Sequence, residues 1–110
     1  MRPRLALVPG EPAGIGPELV VRASQRAWEA ELVVYGDAAV LRRAAEMLAL
    51  PLFLHARGEP PRDPHSLEFV DIPHPVAVEF GKPEPANAAS VVASLTRAAQ
   101  ACLDGELDGM

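Results

Sequence analysis

Residues 8–18, which read V-P-G-E-P-A-G-I-G-P-E, constrain this chain more than any other stretch. Three glycines (Gly10, Gly14, Gly16) and three prolines (Pro9, Pro12, Pro17) join an apolar run at 5–8 to an amphipathic segment starting at Pro17. Glycine reaches positive φ without a Cβ penalty and proline holds φ at about −65°, so the turn is shaped, not slack. If Gly14 takes positive φ, a β-branched residue there should damage folding. Pro17 suits the first helical position, where a missing N–H costs nothing, and Glu18 complements the positive end of the helix dipole. A strand, a glycine turn and a helix N-terminus in succession supply the parts of an anion-facing cradle at the carboxyl edge of a sheet. The spacing G-x-x-x-G-x-G is not the dinucleotide fingerprint, and no Lys-Ser or Lys-Thr pair follows the last glycine as in a Walker A loop. Local chemistry leaves two readings open: a ligand-facing turn, or a tight strand-to-helix connection that binds nothing.

The rest of the chain reads as strand, helix, strand, helix, strand, the grammar of a parallel α/β sheet. The run at 5–8 is a strand buried on both faces, and the helix at 17–28 carries Leu19, Val20, Ala23 and Ala27 as its apolar stripe. A second strand spans 32–35, after which Asp37 caps a helix whose apolar face is Val40, Leu41, Ala44, Met47 and Leu48. Short strands follow at 51–55 and 67–71, separated by a proline-rich surface loop at 57–66. Residues 72–85 hold four more prolines, and Val76, Val78 and Phe80 alternate there as a brief edge strand. The last helix starts at Asn87 as N-cap and stops at Gly105. Its predicted inner face is Val91, Val92, Leu95, Ala98, Ala99, Cys102 and Leu103. About four short strands cannot cover all of that stripe, which predicts poor solubility or self-association of the isolated segment.

A net charge of −5 provides no basic field, which argues against nucleic acid as a partner. The apolar run near the N-terminus is far too short for a signal peptide or a membrane span, so the cytoplasm is the expected compartment and no membrane partner is expected. Cys102, the one cysteine, forms no internal disulfide and reads as a buried, inert thiol. His55, His65 and His74 share no metal-ligand spacing with one another or with acidic residues, so no metal site is expected within the segment. Ser66, Ser90 and Ser94 lie outside any nucleophile-elbow context. Glu11 and Glu18 flank the glycine turn as a conceivable acid–base pair, but a loop-surface role for Glu11 and a dipole role for Glu18 explain them more simply.

The run P-G-E-P-A-G-I-G-P-E-L-V resembles the amino-terminal signature of the 4-hydroxythreonine-4-phosphate dehydrogenases, the NAD-dependent enzymes of pyridoxal phosphate biosynthesis. A shorter echo, G-x-x-x-G-I-G-P-E, is similar to the first loop of isocitrate and isopropylmalate dehydrogenases. E-L-V-V-Y-G-D at 31–37, M-L-A-L-P-L at 47–52 and the late C-L-D-G-E-L extend the likeness over most of the chain. Ala88 departs from the glycine usual there in the family, which puts little in doubt because alanine is a good helix former.

The resemblance implies a three-layer α/β/α fold of the isocitrate/isopropylmalate dehydrogenase type, of which residues 1–110 form the first βαβαββα portion without a complete second domain. It implies that the full enzyme oxidises the 3-hydroxyl of 4-phosphooxy-L-threonine with NAD, after which carbon dioxide is lost to give 3-amino-2-oxopropyl phosphate. It also implies a divalent metal (Zn, Mg or Co), a homodimer, and a small phosphorylated hydroxy amino acid as substrate. The family's catalytic and metal-binding residues lie beyond this stretch, so none is carried over and the segment alone is expected to be inactive. Gly14 and Gly16 are the candidates for shaping the cofactor region. Two alternatives are a paralogous dehydrogenase acting on threonate or erythronate 4-phosphate, and a non-catalytic α/β binding module.

Overall fold

The structure, a computed structural model, describes residues 2–59 and 65–110. Its elements are β1 (Arg4–Leu7), α1 (Gly16–Ser24), β2 (Glu31–Gly36), α2 (Ala38–Leu48), β3 (Phe53–His55), β4 (Ser66–Asp71) and α3 (Ala88–Leu103), the last entered through a 3-10 turn at Pro85–Asn87. The strands pair in parallel in the order β1-β2-β4-β3. Strand alternation splits the core into two layers. Val33 and Tyr35 of β2 pack with Ala98 and Ala101 on the α3 side, whereas Val34 packs with Val20 of α1 and Leu41 of α2 on the other. This is the α/β/α arrangement expected, in the order βαβαββα. β1 is less buried than expected, Ala6 alone being fully covered, because it lies at the sheet margin. The end of the chain meets that margin: Asp108 N–H donates to the Arg4 carbonyl at 2.7 Å, and Ala6 N–H to the Gly109 carbonyl at 2.9 Å.

The helices sit where the pattern puts them, but their buried faces are rotated from those expected. α1 ends at Ser24, four residues early, because side chains capture its last carbonyls. The Ser24 hydroxyl and the Gln25 amide both donate to the Val21 carbonyl, and the Trp28 indole N–H donates to that of Ala23. Its buried line is Pro17, Val20, Val21 and Ser24, while Leu19 is exposed. α2 is capped by Asp37 as expected, the carboxylate accepting from Ala39 N–H at 2.9 Å and Val40 N–H at 3.3 Å. It buries Ala45 in place of Met47, which is 69% exposed.

α3 shows the largest difference. Its buried residues are Ser94, Ala98 and Ala101, whereas Val92 (61%), Leu95 (48%) and Leu103 (82%) face outward. The reason is steric: Tyr35 fills the layer beneath α3, and only small side chains admit the helix close to it. Asn87 precedes α3 but its side chain caps nothing. Instead its amide oxygen accepts from Val76 N–H at 3.0 Å and its amide nitrogen donates to the Val76 carbonyl at 3.1 Å.

That clamp, with the Arg43 guanidinium donating to the Val78 carbonyl, takes the backbone groups an edge strand would need. The expected strand at Val76, Val78 and Phe80 is therefore absent, and among the described residues the segment forms only a bridge between Glu79 and Lys82. Residues 72–84 cross the carboxyl edge as a strap. Gly105 ends α3 at φ +78°, as its position predicted. Of the proline-rich loop at 57–66, residues 60–64 lie outside the described residues.

Candidate functional site at the carboxyl edge

The exits of β1, β2 and β4 converge at one edge of the sheet. After β1, Pro9 wedges between two glycines. A Cβ on Gly16 would stand 1.6 Å from the Pro9 carbonyl oxygen, and one on Gly36 would stand 3.2 Å from the Pro9 ring. These close approaches tie the start of α1 and the end of β2 to the same residue. Gly10 takes the left-handed backbone, φ +76°, and Gly14 does not, so the expectation attached to a positive φ at Gly14 is overturned. The Gly14 turn is closed by hydrogen bonds instead: the Glu11 carbonyl accepts from Gly14 N–H at 3.0 Å, and the Glu11 carboxylate from Ala13 N–H at 3.1 Å. Glu11 thus shapes the turn, and Glu18 lies exposed in the first turn of α1. Ile15, at the N-cap of α1, has no polar side-chain atom and leaves that helix end without a side-chain cap.

Two carboxylates gather at the start of α2, where the helix dipole favours them. Asp71, ending β4, accepts from Ala38 N–H at 3.0 Å. The second oxygen of Asp37 accepts from His74 N–H at 2.9 Å. The His74 ring in turn hydrogen-bonds to the Ser90 hydroxyl of α3 through Nδ1. Ser90 donates its own hydrogen to the Asn87 carbonyl at 2.8 Å, so its oxygen accepts and His74 Nδ1 carries the proton. In the neutral ring this leaves Nε2 as an acceptor. A cavity of about 10 Å³, room for one water-sized body, is bordered by Pro9, Gly10, Gly36, Asp37, His74 and Ser94. Sequence reasoning missed this cluster because Asp37, His74 and Ser90 have no motif spacing and meet only through the fold.

The other histidines stay apart from it. His55 ends β3 with Nδ1 near the Ala56 carbonyl, and His65, at φ +76°, has a buried Nδ1 without a partner among the described residues. Among those residues no three His, Cys, Asp or Glu side chains form a group able to hold a metal ion, so they do not fit the metal implied for the full enzyme. Cys102 is half-buried against the α3-side core, less covered than expected. A wider cleft of about 250 Å³ opens at the opposite, amino edge. Three of its charged residues are already paired, Arg4 reaching Glu31 at 2.9 Å and Glu68 at 3.0 Å. Open parallel sheets bind ligands at their carboxyl ends, which favours the smaller, glycine-lined edge.

Parallel strands, helices on both faces and a glycine turn at the carboxyl edge define the open α/β sheet class shared by many dehydrogenases. Within that class the chain belongs to the pyridoxal phosphate biosynthetic protein PdxA family, whose profile matches residues 28–110. It is 50% identical over 111 residues to a 4-hydroxythreonine-4-phosphate dehydrogenase of Xanthomonas oryzae pv. oryzae, a match covering 100% of this chain and 34% of that protein. The crystal structure of a 4-hydroxythreonine-4-phosphate dehydrogenase from Klebsiella pneumoniae superposes with a TM-score of 0.81 at 25% identity, over 96% of this chain and 35% of that one. A terephthalate 1,2-cis-dihydrodiol dehydrogenase from Burkholderia xenovorans superposes at 0.77 with 28% identity, over 97% of this chain and 32% of that one. The chain therefore spans about a third of the length of the proteins it matches. The glycine turn precedes the profile match but lies within the Xanthomonas alignment.

Proposed function

We propose that residues 1–110 are the amino-terminal part of the catalytic unit of a 4-hydroxythreonine-4-phosphate dehydrogenase, acting in pyridoxal 5'-phosphate biosynthesis. The observation that carries this reading is the 50% identity spanning the whole chain. In the full enzyme the 3-hydroxyl carbon of 4-phosphooxy-L-threonine gives a hydride to NAD and the hydroxyl loses its proton. The resulting β-keto acid then releases carbon dioxide to leave 3-amino-2-oxopropyl phosphate. This segment contributes sheet and edge geometry: the glycine turn with Gly14 and Gly16, beside the uncapped start of α1, borders the cofactor region. The metal ligands and the reacting residues belong to the remainder of the enzyme, which works as a cytoplasmic homodimer, and the segment alone is inactive.

A second reading keeps the same fold with another substrate, and the superposition on a dihydrodiol dehydrogenase supports it. Threonate or erythronate 4-phosphate is the alternative substrate class, since the substrate-contacting residues lie outside this stretch. The test is NADH formation by the gene product at its full natural length, with 4-phosphooxy-L-threonine, threonate 4-phosphate and erythronate 4-phosphate in parallel. Turnover of 4-phosphooxy-L-threonine with release of carbon dioxide is the result expected. Turnover of a phosphosugar acid alone selects the second reading, and no NADH from any of the three overturns both.

A further inference from the structure

α3 carries two apolar lines, and the sheet uses only one. Small residues of the first, Ser94, Ala98 and Ala101, are buried, Ala98 and Ala101 packing with Val33 and Tyr35 of the sheet. The second comprises Val92, Leu95, Ala99 and Leu103, spaced at three and four residues, which makes a continuous seam about 16 Å long. Its direction follows from the polar residues. Arg97, Gln100 and Asp104 face the cleft above β4, so helical geometry turns Leu95 and Ala99 toward the opposite flank, above the margin of β1, with Val92 and Leu103 on the outward side of the same arc. At that margin the sheet is already being extended, because Leu5 pairs with Gly109 in the parallel sense. A strand continuing there would lay a floor beside α3, and a helix on that floor would rest against the seam.

We infer that the seam Val92–Leu95–Ala99–Leu103 is the docking face for a helix from the remaining two thirds of the family fold, seated over the β1 margin. The occupant is chosen by length: the matched relatives carry about two further lengths of polypeptide around the same superposed unit. The inference rests on family membership and is independent of the substrate assigned above.

The test is a chimera in which this chain replaces the corresponding third of the Xanthomonas oryzae relative, made both as one polypeptide and as two co-expressed pieces. Amide hydrogen exchange in α3 should slow at least tenfold relative to the 110-residue chain alone. Leu95→Asp should lower the chimera's Tm and release the co-expressed partner, while leaving the circular dichroism of the chain alone unchanged. Arg97→Asp, on the polar side of α3, should do neither. Failure of both formats to form a complex overturns the proposal. So does a seam as unprotected in the chimera as in the free chain, or a Leu95→Asp variant that only dissolves a homodimer of the free chain. A protected but catalytically silent chimera counts against the enzyme reading and leaves the docking face intact.

Discussion

Gly14 and Gly16 look alike in sequence and differ in what holds them. At Gly16 the Pro9 carbonyl occupies the place of a Cβ, so Gly16→Ala forces backbone movement at the start of α1. It should cost about 3 kcal/mol or prevent folding. At Gly14 the nearest such contact is ordinary, 3.4 Å, and Gly14→Ala should cost less than about 1 kcal/mol. Urea titration of the two variants checks both, and equal losses would refute the assignment. Tyr35, the one tyrosine, gives a second test. Burial, with Glu106 nearby, raises its phenol above the ordinary 10.0. Its contribution is present below pH 10 and is lost as pH rises toward the folded value, because the unfolded chain releases the proton first. Phenolate absorbance should therefore appear at higher pH in the folded chain than in urea, with stability falling over that window. An onset at the same pH in both states would show the ring to be solvated.

Between elements, a few polar side chains do what the hydrophobic pattern cannot. Asn87, 1% exposed, acts as a short piece of backbone for Val76 and pins the strap to α3. Asn87→Ala should cost about 1–3 kcal/mol and speed amide exchange at Val76. Unaltered exchange there would show the strap to be held by other contacts. At the opposite edge Arg4 binds β1 to β2 and β4 through Glu31 and Glu68, and both carboxylates raise its pKa. Arg4→Met leaves the largely covered Glu68 carboxylate unpaired and should cost about 1–3 kcal/mol, read as a lower urea midpoint. An equal loss in a Glu68→Gln background would point to packing of the arginine stem instead. Asp37 was legible as a cap because N-caps depend on immediate neighbours. The Asn87 clamp was not, since its partner is 11 residues away across a proline-rich turn.

At the scale of the whole molecule, the apolar surface is divided between what this chain covers and what it leaves open. The expectation of one apolar face on α3 merged two overlapping arcs, because helical periodicity registers apolar spacing and not which arc meets a sheet. The same ambiguity placed Leu19 and Met47 inside, and both are exposed. The sequence by itself determined the parallel α/β class, the order of elements, the turn at 8–18, the Asp37 cap and the Gly105 stop. Each of these follows from local sterics, local hydrogen bonds or the two backbone periodicities, which act within a few residues. Only the tertiary structure decided the strand order β1-β2-β4-β3, the faces the helices bury, the meeting of Asp37, His74 and Ser90, and the fate of residues 72–84. These depend on shape and on competition for backbone groups between residues distant in the chain, such as Tyr35 against α3 and Asn87 against Val76.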